Sequence, residues 1–277
     1  MDAIAERPGL EVERDAERRS TTWNGVRTEW RLWGSGSPVV LIHGSFGSWL
    51  HWIRNIPALA ARHRVLVPDL PGYGDSGDVP SGWGLAEAAG ALHAGLGELV
   101  PGQRVVVIGF SMGGAVAVHL AARLGRDAER LVLVGTSRGM GFTPVQREPL
   151  VRWRGLDEAG MIAAHRRNLE IQMIADPERI DELAISIQAV NTRRTRLRLA
   201  PETRPVVREK LSEVTCPVAG IWGTADPVVG RYGAERVKVL KDRDPNAAAV
   251  LIEGAGHWVQ YEAAAEFDAA LARILAS

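Results

Sequence analysis

The sequence predicts an α/β fold: a mostly parallel, twisted central sheet flanked by helices, with an inserted helical lid. Short β-branched runs, apolar on both faces, alternate with helical stretches through the first half of the chain. Such runs suit strands buried between two helical layers, and their alternation with helices implies parallel pairing. The rhythm stops after Val134 and returns at Val218, and the interval carries helical stretches without a convincing strand.

The first element is a β-hairpin. Arg19 to Trp23 and Val26 to Trp33 flank Asn24-Gly25, which supplies the positive φ angles of a tight turn. Strands are expected at Pro38 to Ile42, Arg64 to Val67, Arg104 to Ile108 and Arg130 to Val134, with helices at Leu85 to Val100 and Ala115 to Leu124. Amphipathic helical stretches follow over Leu156 to Met173, Pro177 to Ala189 and Asn191 to Leu199. Strands at Val218 to Trp222 and Ala248 to Ile252, then a closing helix over Ala263 to Ala276, complete the pattern. The chain therefore divides into a core domain, residues 1–140 and 208–277, and a helical cap, residues 141–207. An ordinary helical layer with an odd connection is the alternative reading of that interval.

Composition narrows the class of partner. Lys plus Arg equals Asp plus Glu at 33 each, so no net field points toward nucleic acid or a membrane surface. The apolar runs fall far short of the roughly 18 residues of a membrane span, and Met1 to Ser20 lacks the apolar centre of a secretory signal. A cytoplasmic location is expected. Cys216 stands alone, which precludes an intramolecular disulfide and agrees with a reducing compartment. At the head of a strand it reads as a small buried side chain rather than a nucleophile.

Gly109-Phe110-Ser111-Met112-Gly113-Gly114 falls between a strand and a helix. A sharp strand-to-helix turn lifts a serine Oγ above the sheet and needs small neighbours, and the helix N-terminus offers N–H groups to developing negative charge. Gly135-Thr136-Ser137-Arg138-Gly139 fits the same short pattern. Phe142, Pro144 and Pro149 follow it and break any helix, so Ser137 reads as a loop serine. A serine hydroxyl needs a base and an orienting carboxylate. After Ser111 three histidines remain. His119 lies on the helix downstream of the elbow and His165 in the cap. His257 sits on a Gly-rich loop past the last strand, at the elbow's edge of the sheet. Asp226, in Gly223-Thr224-Ala225-Asp226-Pro227, ends the strand before it, where parallel sheets place working residues. Two N–H donors must meet the tetrahedral oxygen. Met112 supplies one, and Ser45, or else Phe46, the other.

These landmarks, with His43-Gly44, Asp69-Leu70-Pro71-Gly72-Tyr73-Gly74-Asp75-Ser76, Asp226-Pro227 and Gly256-His257-Trp258, resemble the α/β-hydrolase superfamily over residues 39 to 262. The resemblance implies hydrolysis of an ester, amide, lactone or activated C–C bond without cofactor or metal. Ser111 argues against the dehalogenase and epoxide-hydrolase branches, which use Asp. A closer resemblance is to hydrolases of ring-opened aromatic diketone acids. It rests on Ser111-Met112-Gly113-Gly114, on Gly256 to Glu262, and on Asn191, Arg193 and Arg194, which would hold a substrate carboxylate. Phe110, where those enzymes carry Asn, and Gly44-Ser45-Phe46-Gly47, where they carry a Pro-containing loop, depart from it. An ester-type substrate is expected ahead of a C–C substrate. A cofactor-free perhydrolase and a small-molecule receptor that retains the triad are the readings from other classes. Phe46, Phe110 and Trp258, with Trp49, His51 and Trp52, are candidate pocket residues, core packing being the alternative. The expected partners are a small-molecule substrate and a second copy in a homodimer.

Overall fold

The computed structural model describes residues 9–136, 139–141, 148–197 and 206–277. Eight strands form one sheet: β1 (Glu17–Trp23), β2 (Val26–Trp33), β3 (Pro38–Ile42), β4 (Arg64–Pro68), β5 (Val105–Phe110), β6 (Ala128–Val134), β7 (Val218–Gly223) and β8 (Ala249–Ile252). Their order is β1-β2-β4-β3-β5-β6-β7-β8. β1 and β2 are antiparallel, as are β2 and β4, and every later pair is parallel. Asn24 and Gly25 take φ 48° and 76° at the hairpin turn.

The helices are α1 (Leu10–Glu13), α2 (Ile56–Ala60), α3 (Leu85–Leu99), α4 (Met112–Leu124), α5 (Glu158–Gln172), α6 (Glu182–Arg193), α7 (Val206–Lys210), α8 (Gly233–Arg243), α9 (Val259–Glu262) and α10 (Ala264–Ala276). Strand residues alternate between two apolar clusters, one per sheet face. Val39, Leu41, Val106, Ile108, Val132 and Val134 face α10 and the chain from Trp49 to Leu59. Val40, Ile42, Val105, Val107, Leu131 and Leu133 face α3 and α4. Each such side chain contributes about 1.5–3 kcal/mol by leaving water, so both faces must be covered. Cys216 is buried.

The described part of the interval after β6 carries α5 and α6 and no strand, with two departures from the expected helices. The Asp181 carboxylate accepts from Ala184 N–H and starts α6 afresh, so Pro177 to Ala189 is not continuous. Of the expected helix over Asn191 to Leu199, only Asn191 to Arg193 is helical, as the end of α6, and residues 194–197 are not. Arg196 and Leu197 N–H both donate to Gly72 O, at 3.0 and 3.1 Å, which draws the chain off the helical path after Arg193. Residues 198–199, like Ser137, lie outside the described residues. Leu169, Met173, Ile185, Ile187 and Val190 join the apolar cluster of Trp52 and Trp258, so α5 and α6 sit on the core rather than apart from it. No helix among the described residues is long and apolar enough to cross a membrane.

Candidate active site

Three strand ends converge at one edge of the sheet. Ser111 follows β5 with φ 52° and ψ −116°, a strained conformation for any residue with a Cβ. Its N–H is anchored to Val134 O at 2.8 Å. The turn closes because a Cβ on Gly113 would collide with the Ile42 and His43 carbonyls, and one on Gly109 with the Gly113 carbonyl.

His257 Nε2 lies 2.9 Å from Ser111 Oγ, and its Nδ1 lies 2.7 Å from Asp226 Oδ2. Asp226 Oδ1 accepts from Val228 N–H (2.7 Å) and Val229 N–H (3.0 Å). With the carboxylate held by those donors, Nδ1–H donates to it, and Nε2 is left to accept the serine proton. Asp226 and His257 are each 2% exposed.

The β3 loop abuts the serine: a Cβ on Gly44 would stand 3.1 Å from Ser111 Cβ. Phe46 carries φ 54° in this loop. His43 Nε2 accepts from Leu70 N–H at 2.9 Å. Its Nδ1 therefore carries the proton and donates to Gly44 O at 2.8 Å. His51 Nδ1 accepts from Gly44 N–H at 3.3 Å. Met112 N–H opens α4, where helix geometry provides no intrahelical partner.

Burial sets the charge state of the histidines around this loop. It pushes His43 below the usual histidine range and His51 well below it, with His43 and His257 adding to the effect on His51. Burial, then Arg193, brings His165 to about 4. All three take up a proton less readily in the folded protein than in the unfolded chain, which does so below about pH 6.5. The stability they contribute is complete above that pH and is lost on acidification. Urea unfolding is expected to give a lower free energy at pH 5 than at pH 7, His165 alone accounting for roughly 2 kcal/mol of the difference. An equal or higher value at pH 5 would show that these rings are not held neutral.

The candidate pocket residues separate. Phe110 (1% exposed) and Trp258 (0%) are buried in the apolar core. Phe110 packs 5.1 Å from the His257 ring, between centroids, and the Trp258 indole N–H is spent on His51 O at 2.9 Å. Trp49, His51 and Trp52 are likewise buried. Asn191 is buried and its Oδ1 accepts from Ser48 Oγ at 2.7 Å, a link between α6 and the β3 loop. Arg194 is paired with Asp75 at 2.6 Å, and Arg193 Nε donates to Ala189 O of its own helix. Neither arginine lines a described cavity near the serine.

Sequence reasoning missed the cavity that does adjoin the β3 loop. It encloses about 290 Å³, and its lining includes Ser45, Phe46, Arg152, Trp153, Arg154 and Met173. The signal was the run Leu150 to Arg154, apolar and basic with no strand or helix pattern. Among the described residues no group of His, Cys, Asp and Glu is placed to hold a metal ion.

The chain is similar to known proteins over most of its length. The dihydrolipoyllysine-residue acetyltransferase component of the acetoin cleaving system of Pseudomonas putida is 30% identical over 84% of this chain. The match covers 62% of that protein, less than two thirds of its length. A 2-hydroxy-6-oxononadienedioate/2-hydroxy-6-oxononatrienedioate hydrolase of Cupriavidus pinatubonensis is also 30% identical, over 85% of this chain and 86% of its own. A pimeloyl-[acyl-carrier protein] methyl ester esterase of Vibrio atlanticus is 28% identical over 77% and 83%. Among solved structures, a meta-cleavage product hydrolase from Pseudomonas fluorescens IP01 superposes with a TM-score of 0.72 at 23% identity, covering 93% of this chain and 97% of that one. With residues 39–270 matching the family as a whole, the chain belongs to the alpha/beta hydrolase family.

Proposed function

We propose that the protein is a serine hydrolase cleaving a carboxylic ester-type small molecule through an acyl-enzyme. The observation that carries this reading is the hydrogen-bonded chain from buried Asp226 through His257 to the strained Ser111. His257 Nε2 takes the Ser111 proton as Oγ attacks the carbonyl. Met112 N–H and the N–H of Ser45 or Phe46 receive the developing oxyanion. The imidazolium, stabilised by Asp226, then protonates the leaving alcohol. The same imidazole activates water to release the acid. Residues 141–207 act as the lid, setting which acyl groups reach the serine. Turnover of 4-nitrophenyl acetate, with stoichiometric fluorophosphonate labelling of Ser111, tests the proposal. No turnover of any ester and no labelling would overturn it.

A second reading, C–C hydrolysis of a ring-opened diketone acid, draws on the cavity beside Ser45. Arg152 and Arg154 are in its lining, and no acidic residue is among the described residues there, which suits a substrate carboxylate. Replacing either arginine with alanine is expected to weaken binding of acidic substrates by about 1–3 kcal/mol per lost charged contact, with neutral esters unaffected. Comparing KM for a vinylogous diketone acid and a neutral ester checks this. Equal losses on both would remove the support.

A further inference from the structure

We infer that Glu262 is a positioning residue for His257, tying the general base to the segment that ends α5; this rests on the catalytic reading of Ser111 and His257 above. The backbone on both sides of His257 is held by that segment. Trp258 N–H donates directly to Met173 O at 2.7 Å. Gly256 N–H donates to Glu262 Oε2 at 2.7 Å. The same carboxylate accepts from Ala175 N–H at 3.1 Å and from Asp176 N–H at 2.8 Å. One buried side chain, 5% exposed, thus fastens the histidine loop to the chain leaving α5.

The chemistry of the junction requires a carboxylate. Three backbone donors converge on Glu262, and an ionised carboxylate offers acceptors on both oxygens. A glutamine of the same shape would turn an NH2 group toward at least one N–H, leaving a buried donor unmet. Gly256 completes the junction, because a Cβ there would stand 2.6 Å from Ala175 N, 2.8 Å from Glu262 Oε2 and 2.9 Å from Met173 O. Glu262 is itself fixed at its backbone, where its carbonyl accepts from Arg179 Nη1 at 2.8 Å. A shift of the α5 end is therefore transmitted to the loop that sets the 2.9 Å contact between His257 and Ser111.

A staple that served stability alone would change the amount of folded enzyme but not the rate of each folded molecule. Active sites are therefore counted with a fluorophosphonate run to completion, and turnover of 4-nitrophenyl acetate is expressed per titrated site. Glu262→Gln is expected to lower kcat per site by about 10²-fold with little change in KM, as for a displaced catalytic group. Glu262→Ala, which leaves a carboxylate-sized space, is expected to regain rate per site when formate is added. If Glu262→Gln yields no titratable protein, Glu262→Ala folded in formate decides: its rate per site must fall when the formate is removed. A rate per site equal to that of the unsubstituted enzyme, in either variant without formate, would overturn the inference. Turnover retained by Ser111→Ala would instead overturn the catalytic reading beneath it.

Discussion

Ser111→Ala is expected to lower hydrolysis by about 10³-fold or more while the fold is kept. The substitution removes Oγ and little else. Alanine keeps the Cβ that already sits at φ 52°, so the backbone strain is the same before and after. The Ser111 N–H bond to Val134 O is a backbone bond and survives. The change deletes one hydrogen bond to His257, worth about 1 kcal/mol. A loss in rate far larger than the loss in stability separates a nucleophile from a packing residue. Fluorophosphonate labelling gives a second readout, since the adduct should map to Ser111 and vanish in the variant. An adduct that persisted at Ser137 would move the nucleophile to the other Gly-x-Ser-x-Gly sequence.

Legibility in the sequence followed the range of the forces involved. The parallel strands were readable because a strand buried on both faces must be apolar at successive positions, as Val39 to Ile42 and Val105 to Ile108 are. The elbow was readable because its glycines answer to backbone collisions a few residues away. Asp226 and His257 were readable as strand-end residues in a fixed order after the serine. The interval after β6 was not legible in the same way. Whether Arg194 meets a substrate or Asp75 depends on a partner 119 residues distant, and no periodicity records it. Helix Asn191 to Leu199 looked sound by pattern, yet the Gly72 carbonyl competes for its N–H groups. Phe110 and Trp258 carry the composition of a pocket wall, but their burial is decided by Trp52, Tyr261 and His51 around them. Glu262 reads as one more acid on a short helix until the N–H groups of Gly256, Ala175 and Asp176 are seen to share it.

Asp226→Asn is expected to cost up to about 10⁴-fold in turnover, again with a small change in stability. Val228 and Val229 N–H both point at Oδ1, so the asparagine carbonyl must take that place to avoid two buried unmet donors. Its NH2 group then faces His257 Nδ1 across the 2.7 Å contact now made by Oδ2. An NH2 donor forces Nδ1 to accept, which places the ring proton on Nε2. An imidazole protonated at Nε2 cannot receive the Ser111 proton, and the imidazolium formed during attack loses its counter-charge. Every hydrogen-bond partner remains satisfied, so the unfolding free energy should barely move while acylation and deacylation both slow. Burst kinetics with 4-nitrophenyl acetate resolve the two steps, and both should fall together because one imidazole serves each. A variant that kept nearly full turnover would mean that His257 takes its orientation from another group, and that Asp226 only closes the turn after β7.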